Sequence, residues 1–191
     1  LSSVDIREFG IHDGISEVIV TTMSKDGVPN AAPMGLHQKD GRLYLRLFNS
    51  KTLDNILEKP LATANIVDDP VLFVRSALSD IGHEGIEFVE GFPVLKGALA
   101  WIRFECKVRK GEDISVVELS PVSGAVNSRT VKPINRGFNA VIEASVDATR
   151  YVIFREKKYL ERIGYYDKLV RKCGGAQEKE AMQLLYELIG E

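Results

Sequence analysis

The chain predicts an α+β protein, an antiparallel β-barrel or sandwich with short helical insertions followed by a helical C-terminal third. Three observations lead there. Short runs of β-branched or alternating apolar residues fill the first two-thirds, punctuated by Asp-Gly turn signals. After Pro121 the apolar spacing changes to threes and fours. The 191 residues, 45% of them hydrophobic, suffice for one sizeable core with a smaller appended unit. We expect residues 1–122 to form the barrel and residues 123–191 a helical subdomain packing on it.

Residues 15–22 are β-branched and apolar and read as the first strand. Lys25-Asp26-Gly27 marks a hairpin turn, and residues 30–36 return as the second strand. Pro33 has no N–H for a ladder, so it predicts an edge or a bulge. Gln38-Lys39-Asp40-Gly41 is a second turn of the same chemistry. Residues 42–48 then alternate, with Leu43, Leu45 and Leu47 against Tyr44, Arg46 and Phe48, so one face enters a core.

Residues 49–59 read as a short helix that stops at Pro60. Residues 61–67 form another strand, broken by Asp68-Asp69-Pro70. Val71-Leu72-Phe73-Val74 is a further short apolar run, and residues 78–93, with their glycines and acids, predict loop. Residues 98–110 and 113–119 are two long strands around Gly111-Glu112. The total is about six or seven strands joined by short turns.

Residues 135–151 place Phe138, Val141, Ile142, Ala144, Ser145, Ala148 and, just beyond, Val152 at helical spacings. Residues 156–171 and 177–189 are helical as well. Leu160, Ile163, Leu169 and Val170 mark one apolar face; Met182, Leu185, Leu188 and Ile189 mark the other. Gly174-Gly175 separates these two helices as a C-cap pair.

The composition excludes several classes of function. A net charge of −2 supplies no global basic field for nucleic acid or anionic lipid. No apolar run is long enough to span a bilayer, and the mixed, polar opening residues are no signal peptide, so a soluble, cytoplasmic protein is expected. Cys106 and Cys173 make no C-x-x-C pair, and Cys106 reads as a buried small hydrophobe. His12, His37 and His83 lack metal-ligand spacing, so no metal is expected. There is no G-x-S-x-G, no Walker A loop and no G-x-G-x-x-G. His37 reads as a turn histidine on the surface.

Three segments carry candidate chemistry. Thr21-Thr22 ends the first strand. Pro29-Asn30-Ala31-Ala32-Pro33-Met34-Gly35 is small and flat, which lets a planar ligand approach backbone. Arg46-Leu47-Phe48-Asn49-Ser50-Lys51-Thr52-Leu53-Asp54-Asn55-Ile56 runs from a strand into a helix start. A helix N-terminus offers unpaired N–H groups and a positive dipole end, so hydroxyls and cations beside it suit a phosphate. Arg46 could clamp that phosphate. Read alone, the same string is a surface helix capped by Ser50 or Thr52.

Together these strings resemble the FMN-binding split-barrel proteins, which include flavin reductases and pyridoxamine-phosphate-oxidase-like proteins. The closest similarity is to a mainly archaeal family of unknown function within that fold. Glu17-Val18-Ile19-Val20-Thr21-Thr22 and the 27–35 string resemble the family's opening, and Ser50-Lys51-Thr52-Leu53-Asp54-Asn55-Ile56 resembles its FMN-phosphate pattern. Asn65-Ile66-Val67-Asp68-Asp69-Pro70, Phe73-Val74, the helix carrying Phe138-Asn139-Ala140-Val141-Ile142-Glu143-Ala144, and Ala148-Thr149-Arg150 also resemble the archaeal family. The resemblance implies a split barrel, a homodimer and FMN at the interface. It implies that Ser50, Lys51 and Thr52, next to Asn49 and helped by Arg46, hold the phosphate. Asn30, Ala31, Ala32, Pro33, Met34 and Gly35 would line the isoalloxazine, with Asn55 and Asn65 as further contacts. The function implied is a flavin-dependent oxidoreductase of unread substrate; a non-catalytic flavin carrier or sensor, or a deazaflavin protein, fits the same residues.

Overall fold

The structure, a computed structural model, describes residues 4–191. Its strands are β1 (Gly14–Met23), β2 (Pro29–Lys39), β3 (Arg42–Leu47), β4 (Leu61–Ile66), β5 (Ile86–Val89), β6 (Phe92–Leu95), β7 (Ala100–Arg109) and β8 (Ser115–Val126). Six of them close an antiparallel barrel in the order β1-β2-β3-β8-β7-β4, while β5 and β6 form a separate hairpin. The helices are α1 (Lys51–Glu58), α2 (Pro70–Leu78), α3 (Arg136–Phe154), α4 (Lys157–Cys173) and α5 (Ala176–Ile189). The chain divides into two compact units. One holds the barrel, running through Asp68 and resuming over Ile81–Arg129; the other joins Asp69–Asp80 to Thr130–Glu191.

Alternation builds the barrel interior. Val20, Leu36, Leu45, Ile56, Ile102 and Phe104 are each at most 1% exposed and belong to one cluster. Full burial of such side chains contributes roughly 1.5–3 kcal/mol apiece. The β2–β3 turn has Asp40 at φ 51° and Gly41 at φ 73°. Both central residues are left-handed, the geometry that matches strand twist and that Asp-Gly adopts readily. Leu53 and Ile56 of α1 pack into the same core, so this helix is anchored to the barrel by its apolar face.

Four features before the helical third depart from expectation. The 71–74 run is helical: Asp69 caps α2 by accepting from Val71 N at 2.9 Å and Leu72 N at 3.0 Å, with Pro70 opening the helix. Asp-Pro is a helix-start signal as much as a breaker, and four apolar residues carry no readable period. Within residues 78–93, expected as loop, the β5–β6 hairpin forms around Glu90-Gly91, both at positive φ. Strand β8 continues past Pro121 to Val126, because the register with β7 shifts between Arg103 and Phe104 and absorbs the proline. His37 lies within β2 rather than in the following turn.

Arg103 holds the β5–β6 hairpin to the barrel wall. Its guanidinium bonds Glu90 Oε2 at 2.9 Å and Val89 O at 2.8 Å. It stands 5.4 Å from the Phe92 ring centroid and 5.3 Å from that of Trp101.

The helical unit has its own core, including Val74, Val141, Ala144, Ala148, Ile163 and Leu185. Val152 is exposed, contrary to the sequence pattern, whereas Asp147 on α3 is fully buried. Asp147 pairs with Arg162 Nε at 2.9 Å and Arg150 Nη1 at 3.5 Å. Gly174 ends α4 at φ −84°, not in the left-handed form expected of a cap. A Cβ built on Gly137 would lie 2.4 Å from Gly174 Cα, so close packing excludes a larger residue there. Among the described residues no helix is long and apolar enough to cross a membrane.

Candidate functional site

The site begins where two strands part. β2 pairs with β1 from Gly14↔Gln38 to Met23↔Pro29. It pairs with β3 only at His37↔Tyr44, Gln38↔Leu43 and Lys39↔Arg42. Beyond Tyr44, β3 continues instead on β8. Residues 29–36 therefore keep one edge outside the ladder, and Pro33 sits on it, where its missing N–H costs nothing. Asn30, Ala31, Ala32, Pro33, Met34 and Gly35 are all half-buried. A Cβ on Gly35 would come within 2.7 Å of Ile15 Cγ2, so the glycine keeps the outer surface of β1 and β2 flat.

The helix start lies at the other side. Ser50 is the N-cap of α1: its Oγ accepts from Leu53 N at 3.4 Å and its carbonyl accepts from Asp54 N at 3.0 Å. The amides of Lys51 and Thr52 have no intrahelical acceptor. Arg46, Asn49, Ser50 and Lys51 are exposed. This corner thus presents two cations, a hydroxyl and free amides at the positive end of a helix, a donor set that suits a phosphate dianion.

Buried polar pairs join slot and helix. Asn30 Nδ2 donates to Thr52 Oγ1 at 3.0 Å, and Asn55 Nδ2 donates to Thr22 Oγ1 at 3.0 Å. Thr22 and Asn30 are themselves cross-strand partners. The three candidate segments of the sequence converge here, as expected, but with changed roles. Thr52 and Asn55 are 2% and 4% exposed, so their side chains face the barrel rather than the open corner.

Asn65 is fully buried. Its amide nitrogen donates to Ile19 O at 2.9 Å and Thr21 Oγ1 at 3.1 Å, and its Oδ1 accepts from Leu95 N at 2.9 Å. Thr21 in turn donates to Pro93 O at 2.7 Å. Asn65 thus cross-links β1, β4 and β6, and both ends of its amide have protein partners.

One contact has no complete local signal in the sequence. His37 stacks on Tyr44 at 4.8 Å between centroids and 14° between planes, where the β2–β3 pairing ends. Burial, then the Arg46 charge, lowers the His37 pKa below the usual 6.5, which keeps the ring neutral at pH 7. The alternation that put Tyr44 beside Arg46 on the outward face held the signal; the cross-strand register supplied the partner. Cys106 is half-buried, and burial pushes its thiol up to about 12, so it is unreactive at neutral pH.

Comparison with known proteins adds to this geometry. The FMN-bound protein MM1853 of Methanosarcina mazei, known from a crystal structure, is 46% identical and superimposes with a TM-score of 0.91 over 96% of this chain and 100% of that one. The uncharacterized protein MJ1453 of Methanocaldococcus jannaschii is 26% identical over 188 residues, covering 90% of this chain and 96% of its own. The styrene monooxygenase flavin reductase of Pseudomonas putida S12 shares the fold at 12% identity, with a TM-score of 0.51 over 68% of this chain and 100% of that one. The model of the DUF447 N-terminal domain matches residues 16–128 and that of a protein of unknown function, DUF447, matches residues 135–187. The chain belongs to the DUF447 family, whose two parts it carries in order.

Proposed function

We propose that this protein is a flavoprotein that binds FMN in the corner between the free edge of β2 and the N-terminus of α1. The observation that carries this reading is the 3.0 Å bond from Asn30 to Thr52, which puts a flat, small-residue slot against an anion-binding helix end. The FMN-bound state of a relative 46% identical over nearly the whole chain supports it. The residues fit the group: Arg46 and Lys51 supply charge, Ser50 a hydroxyl and the first turn its amides, while Ala31, Pro33 and Gly35 leave room for a ring. Asn49 borders the phosphate corner. Thr52, Asn55 and Asn65 act from behind it by positioning.

Bound there, FMN would supply hydride or electron transfer, and the protein would orient it and exclude solvent. We propose an oxidoreductase acting as a homodimer, the second copy covering the open edge of β2. Phe48 (67%), which follows β3, Ile15 (61%) on β1 and Val28 (49%), which precedes β2, are exposed and give a partner apolar surface to cover. Two free cysteines and no disulfide among the described residues agree with a cytoplasmic setting.

The visible spectrum of the purified protein tests the binding. Yellow protein releasing FMN on denaturation is expected; colourless protein that takes up no added FMN overturns the reading. Anaerobic mixing with NADH or NADPH tests turnover: bleaching of the bound flavin supports an oxidoreductase, and no reduction by either leaves a carrier. Mass spectrometry of the released chromophore separates FMN from a deazaflavin.

A further inference from the structure

Four polar side chains behind the corner form a closed square. On the hairpin, Thr22 and Asn30 face each other as cross-strand partners. On α1, Thr52 and Asn55 lie three residues apart and therefore on one helix face. Asn30 Nδ2 donates to Thr52 Oγ1 and Asn55 Nδ2 donates to Thr22 Oγ1, each at 3.0 Å. The pairing is reciprocal, strand amide to helix hydroxyl and helix amide to strand hydroxyl. Thr22, Thr52 and Asn55 are 0%, 2% and 4% exposed, so three corners of the square are sealed from water. A further bond, Lys25 N to Glu58 Oε2 at 3.3 Å, ties the β1–β2 turn to the far end of α1.

Apolar packing alone does not set the position of a helix so tightly. Leu53 and Ile56 hold α1 to the barrel, but hydrophobic contact is non-directional and tolerates sliding and rotation. Two directional bonds one helical turn apart remove both freedoms. The first joins the second helical residue, at the anion-binding end, to the first polar residue of the slot.

We propose that Thr22 and Asn55 are positioning residues for flavin recognition, and that the Thr22–Asn55 and Asn30–Thr52 bonds form a two-pin clasp. It sets the distance between the phosphate corner and the ring slot, so that the site selects a flavin carrying a terminal phosphate over one without. The inference rests on the FMN reading above, and it assigns discrimination to side chains that do not reach the ligand. A misplaced helix end loses the phosphate while leaving the ring slot of β2 intact.

The experiment compares FMN with riboflavin, both titrated into cofactor-stripped protein and followed by flavin fluorescence. The main variant is Thr22→Val with Asn55→Leu, because replacing both partners by apolar groups leaves no buried donor unsatisfied. The expected result is a folded protein with wild-type riboflavin affinity and an FMN preference reduced about tenfold or more, the scale of a lost charge-assisted hydrogen bond. An unchanged FMN preference, or an equal loss for both flavins, overturns the clasp while leaving the FMN reading standing. If the double variant does not fold, Thr22→Ala and Thr22→Ser decide. Both remove the methyl and only Ala removes the hydroxyl, so Ser must retain the preference and Ala must lose it; identical behaviour overturns the proposal. Wild-type protein that binds neither flavin overturns the reading beneath it.

Discussion

Asn30 and Thr52, 22 residues apart in sequence, are joined by one 3.0 Å hydrogen bond between a half-buried strand amide and a buried helix hydroxyl. That bond decides how two otherwise ordinary features combine. A strand edge of small residues and a serine-capped helix are each common; held edge to end, they form the corner in which we propose that FMN binds.

The first prediction concerns that rim. Arg46→Ala and Lys51→Ala each remove a cation from the proposed phosphate corner. Each is expected to weaken FMN binding by about 1.5–3 kcal/mol, less where solvent screens the contact, and to leave riboflavin binding untouched. Added salt should shrink the difference between wild type and variant. Unchanged FMN affinity in both folded variants would move the phosphate elsewhere.

A second prediction tests the flat surface at Gly35. Gly35→Ala puts a methyl 2.7 Å from Ile15 Cγ2, so Ile15 must shift, at a cost on the order of 1 kcal/mol. Ile15→Ala removes the obstructing atom and should recover most of that loss, a coupling that thermal melts of the two single variants and the double variant measure directly. Strict additivity would show that the two side chains do not meet.

The third prediction is a pH dependence. The folded pKa of His37 lies below its ordinary value of 6.5, with burial the first cause and the Arg46 charge the second. Between those two pKa values the unfolded chain binds the extra proton, so stability rises with pH through that window. The melting temperature should therefore fall as pH drops below about 6.5, and less so in His37→Gln. Arg46→Gln should move the NMR titration midpoint of His37 upward; an unmoved midpoint would remove Arg46 as a cause.

The buried carboxylate of the helical unit gives a fourth. Asp147 is fully buried, while Arg162 and Arg150 keep side-chain exposures of 49% and 47%. Arg162→Ala strips the nearer partner from a charge with no access to water; Asp147→Ala returns two arginines to solvent. The arginine substitution should be the costlier, by about 1–3 kcal/mol in denaturant melts. Equal losses would mean that Arg150 compensates fully.

Local chemistry made much of this protein legible. Asp40-Gly41 predicts its turn because both residues tolerate a positive φ. Leu43, Leu45 and Leu47 predict an inward face because a strand repeats every second residue. Ser50 predicts a helix cap because its hydroxyl replaces a missing carbonyl. Where such signals compete, local sequence does not decide between them. Asp69-Pro70 starts a helix and also ends a strand, and the 71–74 run is too short to arbitrate. Pro121 reads as a terminator, yet β8 passes it through a shift in register.

The sequence by itself determined the barrel strands, the helical third, the family resemblance and the polar strings at residues 30 and 50–55, all of which follow from neighbours along the chain. Only the tertiary structure decided which of those polar groups face the open corner. An asparagine that would meet a ligand and one that pins a helix look alike in sequence. The burial of Thr52, Asn55 and Asn65 depends on partners tens of residues away, and the opposition of Thr22 to Asn30 on the register of the β1–β2 hairpin. Ladder register and helix placement bring those partners together, and neither is written in any local pattern.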